Sequence, residues 1–364
     1  MGLLRLPKLK IPPLNLPFQK RQKLALGLDI GSHGVKICEM MESAGGLQLI
    51  SLGSALLPPD SLEDGALQDP EAVAQTISAL VNNLKIKGKK VAISISGYSV
   101  IVKKINLAVM SDDELARHIQ SEAEQYIPFD IDDVYLDYED LKTSTENEQR
   151  TDIMLVAAKK EVVDGYLHML QSAGLKPVVV DVDAFALENA YEANFGLGQN
   201  VTLVDIGASK MNINIISQGT STLARDVVLG SRQLTEQIQN HFDLGFEEAE
   251  ALKVGQAAAG DKKGEIERIF ESTCGQWINE VKRAVDFYYS NYPDEKMAKI
   301  MLSGGGSRVK GLPELFQKEL EITTEIFNPF TKATISKNID PEYLQYIAPE
   351  MTLAAGLATR PVEL

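Results

Sequence analysis

The sequence predicts a two-lobed α/β protein, and three observations carry that expectation. A strand–turn–strand phrase, LALGLDIGSHGVKICEM at 24–40, returns as VTLVDIGASKMNINII at 201–216. Strand-like and helix-like patterns alternate through most of the chain between and after the two copies. At 364 residues the chain is long enough for two domains or one large two-lobed one. Aligning the phrases pairs Leu28 with Val204, Asp29 with Asp205, Ile30 with Ile206 and Gly31 with Gly207. Val35 and Ile37 then pair with Met211 and Ile213, so both following strands keep a period-two apolar face. A repeat this widely spaced is not a solenoid period and points to two related lobes.

The elements follow in order. LALGLDI and GVKICEM read as strands joined by a Gly-Ser-His-Gly turn, and Gly45-Gly46 turns the chain into a third strand, LQLISLGSALL. Pro70 opens a helix with Val73, Ile77, Leu80 and Leu84 on one face, and VAISIS is a buried strand. SVIVKKINL is a strand, and Ser111 begins a helix to about Tyr126, with Glu114 at the capping-box spacing. YLDYEDL and DIMLVAAK are strands flanking the polar turn KTSTENEQR, and a helix from about Lys160 ends at Gly174. This strand–helix–strand–strand–helix section reads as a compact inserted subdomain. KPVVVDVDAFALENAYEANFG is a buried strand and a helix, and a mostly helical stretch covers roughly 230–296. MAKIMLSGGGSRVKGLPELFQKEL is strand, glycine loop and helix, and PEMTLAAGLATR is a small-residue helix suited to close packing.

Composition narrows the function classes. Charge is −15 overall, which argues against nucleic acid as the main partner. It is uneven: residues 1–28 carry six basic side chains and no acidic one, while 111–150 carry thirteen acids and three bases. The basic arm is read first as a solvated tail and second as a contact for anionic lipid or an acidic partner. No apolar run approaches the roughly 18 residues of a membrane span. Four prolines and several basic residues also break any signal-peptide core in the first 18 residues. The expectation is a soluble, unexported chain. Cys38 and Cys274 lack metal-ligand spacing and read as core residues, and the four histidines are too scattered for a zinc cluster or a triad.

The candidate chemistry lies in the turns. An aspartate at a strand end followed by small residues leaves backbone N–H groups free to approach an anion, and such concavities bind phosphate oxygens. Two facing copies would grip a polyphosphate. A divalent cation such as Mg²⁺ gives Asp29 and Asp205 a reason to sit beside phosphates. Lys36, on the face opposite Val35 and Ile37, adds a positive charge. In SGGGSRVKGL, Gly304, Gly305 and Gly306 leave bare backbone for a purine or ribose, or else form a flexible turn. The chain holds no Walker loop, and Val309 stands where a dinucleotide fingerprint needs its third glycine. Glu250 and Lys253 share one helix face in FEEAEALK, read first as a surface ion pair and second as ribose ligands. Asp181 and Asp183 alternate at a strand end, so one is placed to orient a water and the other to cap the next helix.

These residues carry a resemblance. The ordered set LDIGSHGVKI, VDIGASKMNI, AEALK and SGGGSRVKGL resembles the nucleotide site of the actin-like ATPase superfamily, which includes FtsA. The acidic insert, above all EAEQYIPFDIDDVYLDY, narrows the match: the chain resembles the PilM family of type IV pilus assembly proteins from about residue 24 to 360. The resemblance implies an actin-like fold with RNase H-like mixed sheets in subdomains 1A and 2A and inserted subdomains 1C and 2B. Its boundaries on this chain are an arm at 1–23, 1A at 24–97 and 175–200, and 1C at 98–174. Subdomain 2A would hold 201–226 and 298–344, 2B would hold 227–297, and 345–364 would return to 1A. It further implies ATP (or ADP) and Mg²⁺ in the cleft, with binding expected and hydrolysis weak or absent. Asp29, Gly31, Ser32, His33 and Lys36 fall in or beside phosphate loop one. Asp205, Gly207, Ala208, Ser209 and Lys210 fall in loop two, where Lys210 stands in place of a common threonine. Glu250 and Lys253 match the ribose helix, Gly304, Gly305, Gly306 and Arg308 the adenosine loop, and Asp183 is the candidate for water positioning. The implied partner is the N-terminal cytoplasmic segment of a PilN-like inner-membrane protein, in a groove between 1A and 1C, beside the pilus motor ATPases. The implied location is the cytoplasm, at the inner membrane through that partner. The alternatives are a sugar-kinase-like phosphotransferase, an FtsA-like filament former, and a scaffold that never binds nucleotide.

Overall fold

In a computed structural model that describes residues 24–143 and 149–362, the two DIG phrases occupy equivalent places in two similar sheets. The basic arm at 1–23 and the residues 144–148 within the polar turn lie outside the described residues. In the first lobe, β1 (Leu26–Ile30), β2 (Gly34–Ser43) and β3 (Gly46–Leu56) form an antiparallel meander. The hairpin β4 (Leu62–Glu63)–β5 (Ala66–Leu67) leads to α1 (Pro70–Asn83), where Asp69 accepts the Ala72 amide and Pro70 takes the first turn. β6 (Lys90–Ile95) then pairs parallel to β1.

The insert follows. β7 (Val100–Ala108), α2 (Asp112–Ala123), β8 (Val134–Asp140) and β9 (Arg150–Lys159) form an antiparallel sheet in the order β7–β9–β8, with α2 packed on it. Ser111 and Glu114 make the expected capping box. α3 (Lys160–Ser172), which the sequence groups with the insert, turns its buried face the other way. Val163, Met169 and Leu170 join the first-lobe core, and burial at about 1.5–3 kcal/mol each fixes the helix there. β10 (Lys176–Val182) pairs parallel to β6 as the sheet's outer strand and runs into α4 (Asp183–Phe195).

The second lobe repeats the plan. β11 (Val201–Ile206), β12 (Met211–Ser217) and β13 (Thr220–Val227) form its meander. A helical layer of α5 (Arg232–Phe242), α6 (Phe246–Lys253) and α7 (Lys263–Asn291) packs around Trp277. β14 (Lys299–Ser303), α8 (Leu312–Leu320) and β15 (Thr324–Ile326) complete it. The sheet order β13–β12–β11–β14–β15 matches β3–β2–β1–β6–β10 of the first lobe strand for strand. The chain is back in the first lobe by β16 (Thr334–Ile335), which pairs with β3, ahead of the boundary at 345 read from the sequence. α9 (Pro341–Ile347) and α10 (Thr352–Leu357) follow, and their small and aliphatic side chains share a core with β2 and β3.

The lobes are joined by a shared core and by two chain crossings, after α4 and after β15. Tyr191, Phe195 and Phe327 pack as an aromatic group there, with ring centroids 5.1 to 6.2 Å apart. The side chain of Asn194 ties one crossing to the other, donating to the Pro329 carbonyl and accepting from the Lys332 amide. α10 packs against β1 and α4 at backbone contact. A Cβ on Gly27 would lie 2.0 Å from the Ala354 oxygen, and one on Gly356 would lie 1.8 Å from the Ala186 oxygen.

Candidate functional site

Both DIG turns are closed by one and the same bond. Gly31 N–H donates to the Gly34 carbonyl at 3.1 Å, and Gly207 N–H to the Lys210 carbonyl at 2.9 Å. The glycine amides are therefore used within the turns. The amides that stay free, among the described residues, belong to Ser32, His33, Ala208 and Ser209. Loop two is braced from behind by Ser231 and Arg232, whose amides donate to the Gly207 and Ala208 carbonyls. The turns face each other across the cleft, and the Ser32 and Ser209 hydroxyls hydrogen-bond at 2.7 Å.

Three carboxylates sit beneath the turns; Asp183 raises the proton affinity of Asp29, and both raise that of Asp205. Burial pushes Asp29 up against the pull of Lys36, whose Nζ lies 3.0 Å from Oδ2. Asp205 has a hydrogen bond from Ser303 Oγ at 2.8 Å and no ion pair among the described residues, and burial pushes it up to about 7 against the weaker opposing pulls of that bond and of Lys36. Burial also acts to raise Asp183, yet Lys210 and the hydroxyls of Ser94 and Ser96 outweigh it and hold this carboxyl below the usual range. Lys210 neither points to solvent nor stays with its own loop. It crosses the cleft to Asp183 Oδ2 at 3.1 Å and to Ser96 Oγ. Three of the roughly four acceptor positions on Asp183 are thus taken. A third inter-lobe contact runs from the Gly97 amide to Asp226 Oδ2, with Asn212 holding the other oxygen of Asp226.

Beside the turns, His33, Lys36, Gly207, Ala208, Glu250, Lys253, Gly305 and Arg308 line one cavity. The Glu250–Lys253 pair is not a surface pair: Lys253 is buried, its Nζ is 2.7 Å from Glu250, and Thr235 Oγ1 adds a bond to the same carboxylate oxygen. Burial, with Arg232 beside it, lowers the proton affinity of His33, so the ring is neutral near pH 7. Of the three glycines, only Gly305 lines the cavity. Gly304 (φ +79°) and Gly306 instead let the loop pack on β11, since a Cβ on either would meet Ile206 at 2.4 Å. Arg308 pairs with Glu350 at 2.9 Å and lies over the Tyr346 ring. The cavity measures about 170 Å³, against roughly 300–1,000 Å³ for small-molecule pockets.

Sequence reasoning missed Ser94, Ser96, Ser303, Arg232 and Asp226. The two serines had a signal, because alternation in VAISIS sets them on one face, away from Ile93 and Ile95. Asp181 faces away from the cleft, where Arg360 grips it through Nε and Nη2. There a groove of about 900 Å³ runs between the insert and the first lobe. Two outer strands wall it, β8 and β10, with Tyr135 and Val180 exposed along them. No described helix is long and apolar enough to cross a membrane, and no described group of three His, Cys, Asp or Glu side chains could hold a metal by itself.

The chain is similar to known proteins. A family model described as type IV pilus assembly protein PilM matches residues 27–362. A chain of a solved PilM–PilN type IV pilus biogenesis complex is 31% identical, with a TM-score of 0.81, covering 93% of this chain and 99% of that one. The ethanolamine utilization protein EutJ from Carboxydothermus hydrogenoformans shares the fold, at 16% identity and a TM-score of 0.54 over 96% of this chain and 91% of that one. The cell division protein FtsA of Bacillus subtilis (strain 168) is 22% identical over 274 residues, 69% of this chain and 62% of that relative's length.

Proposed function

This chain belongs to the PilM family of type IV pilus assembly proteins, with the actin-like ATPase fold, and from that premise we propose that it is a nucleotide-gated adaptor. ATP (or ADP) with Mg²⁺ is held between the lobes. The groove between the first lobe and the insert takes the N-terminal cytoplasmic segment of a PilN-like inner-membrane protein, which brings the chain to the membrane from the cytoplasmic side.

The observation that carries the reading is the pair of DIG turns meeting across one cleft, each offering two free amides above a carboxylate, buried at Asp29 and half-buried at Asp205. The donor set fits a hard divalent cation. Asp29 and Asp205 supply carboxylate oxygens in a site with excess negative charge, which supports sharing an ion with nucleotide oxygens. Bound Mg²⁺ would neutralise phosphate charge there. Lys36 and Lys210 would turn toward a polyphosphate, Glu250 and Lys253 toward ribose hydroxyls, and Gly305 toward the nucleoside. Asp183 is already committed to Lys210, Ser94 and Ser96, which favours holding nucleotide over cleaving it. The groove suits an extended segment because both its walls are strands with one unpaired edge, the arrangement used in strand addition.

Gating follows from the size of the cavity. Nucleotide entry would break Ser32–Ser209 and loosen Lys210–Asp183 and Asp226–Gly97, and Gly97 leads directly into β7 of the insert. Calorimetric titration of the chain with ATP, with and without Mg²⁺ and a synthetic PilN-like segment, tests this. Mg²⁺-dependent ATP binding and a segment affinity that changes with nucleotide are expected. Equal segment affinity in both states would remove the gating, and no ATP binding would remove the site. Turnover stimulated by a polyol would favour a phosphotransferase, and concentration-dependent scattering a filament.

A further inference from the structure

The large groove is acidic throughout, but its carboxylates differ in what they meet. Along β8 and β10 aliphatic and aromatic side chains alternate with Asp137, Glu139 and Asp181, and where α4, β13 and the C-terminal segment meet the lining is mostly polar. Four carboxylates line the groove: Asp137, Glu139, Asp181 and Glu188. Its one basic side chain, Arg360, is spent on Asp181 through two nitrogens. Glu188 accepts the Ser221 amide and meets no ion-pair partner among the described residues. Next to it, Asn189 carries a buried amide nitrogen with no hydrogen-bond partner. Glu188 and Asn189 follow one another on α4 and both line the groove, and an acid without a counter-charge and a buried donor without a partner are each costly unless a ligand meets them.

We propose that Glu188 and Asn189 form a subsite for a cationic group of the bound segment, an ammonium or guanidinium paired with the Glu188 carboxylate while Asn189 donates to a neighbouring carbonyl. This rests on the reading that the groove takes a partner segment, and it adds the chemistry by which one register of that segment is chosen. Apolar contacts along two strand edges tolerate a shift of two residues, whereas a single buried charge pair does not. The subsite also touches both lobes, since Glu188 stands on α4 and Ser221 on β13.

The charges around Glu188 set its pH response. Burial pushes it up to about 7, with Glu192 on its own helix and Asp181 on β10 adding to the rise and Arg360 opposing it. The groove's other acids, Asp137 and Glu139, line it on β8. A cation binds the ionised form, so segment affinity rises with pH through about 7 and levels above it.

The test is calorimetry on the full chain with synthetic peptides of the PilN-like cytoplasmic segment. The arms are the parent peptide, versions with each basic residue replaced by glutamine, and one with an acetylated N-terminus. We expect Glu188→Gln to weaken the parent about tenfold and to flatten the pH dependence between 6 and 8. One peptide change should cost as much on the natural chain and nothing further on Glu188→Gln. Loss on acetylation would assign the cation to the α-amino group, and loss at one lysine or arginine to that side chain. If the parent binds yet neither Glu188→Gln nor any peptide change alters affinity, the subsite is wrong and the groove reading stands. If the parent does not bind the natural chain at all, the groove reading fails and the subsite with it. The peptide arms on the natural chain decide the matter even if the variant does not fold.

Discussion

Lys210 of the second lobe reaches across the cleft to Asp183 of the first, 3.1 Å from Nζ to Oδ2. It is the charged member of a three-part seam with Ser32–Ser209 and Gly97–Asp226. Lys210→Met leaves Asp183 buried with hydroxyl donors but no counter-charge. Breaking a buried pair costs roughly 3–5 kcal/mol, but the Lys210 side chain is 32% exposed, so we expect about 1–2 kcal/mol. The folded carboxyl is held below 3.8, so the loss is full at neutral pH and fades as pH falls below that value. Urea denaturation at pH 7 and pH 3 checks both.

Asp205 should behave in the opposite sense. Its folded value is about 7 against an ordinary 3.8, so the folded state binds the proton more tightly and stability falls as pH rises between the two. Asp205→Asn removes that penalty and keeps an acceptor for Ser303. The variant should be more stable than the natural chain by about 2 kcal/mol above pH 7, with no gain at pH 4. The same change should weaken Mg²⁺-dependent ATP binding. Thermal melts across pH and a nucleotide titration separate the two effects.

The three glycines should divide by role. Gly304→Ala forces a Cβ against the Ile206 backbone at positive φ, and we expect a loss of about 2–3 kcal/mol. Gly305→Ala meets no atom nearer than 3.8 Å and should leave stability within about 0.5 kcal/mol while weakening nucleotide. Denaturant midpoints and ATP affinity, measured on both variants, decide the assignment.

Asp226→Ala frees the Gly97 amide and leaves the backbone bonds of both turns in place, although it removes one of the carboxylates that act on Lys210. Hydrogen exchange at residues 97–100 should speed up, and the effect of nucleotide on segment affinity should shrink. Unchanged exchange there would mean that the seam does not reach the insert.

How much of this was legible in the sequence depended on how local each feature is. The duplicated sheets were readable because Asp29 and Asp205 sit at the same step of the same alternation. The capping box at Ser111 and the stop at Gly174 were readable from neighbours alone. What escaped was set by topology. Ser94 and Ser96 reach Asp183 only because β6 and β10 lie side by side. Lys253 looked like a surface residue because nothing in FEEAEALK shows that α5 covers it. The side that α3 buries was equally hidden, since an amphipathic helix does not name the core it joins.

The aromatic group at the two crossings has a mechanical consequence. With Tyr191, Phe195 and Phe327 packed together and Asn194 lashing one crossing to the other, the lobes are bound along one edge, like the leaves of a book. Such a joint allows swing and resists slide or twist. The opening is then a single coordinate, and one pair of dyes placed across the mouth would report the whole movement.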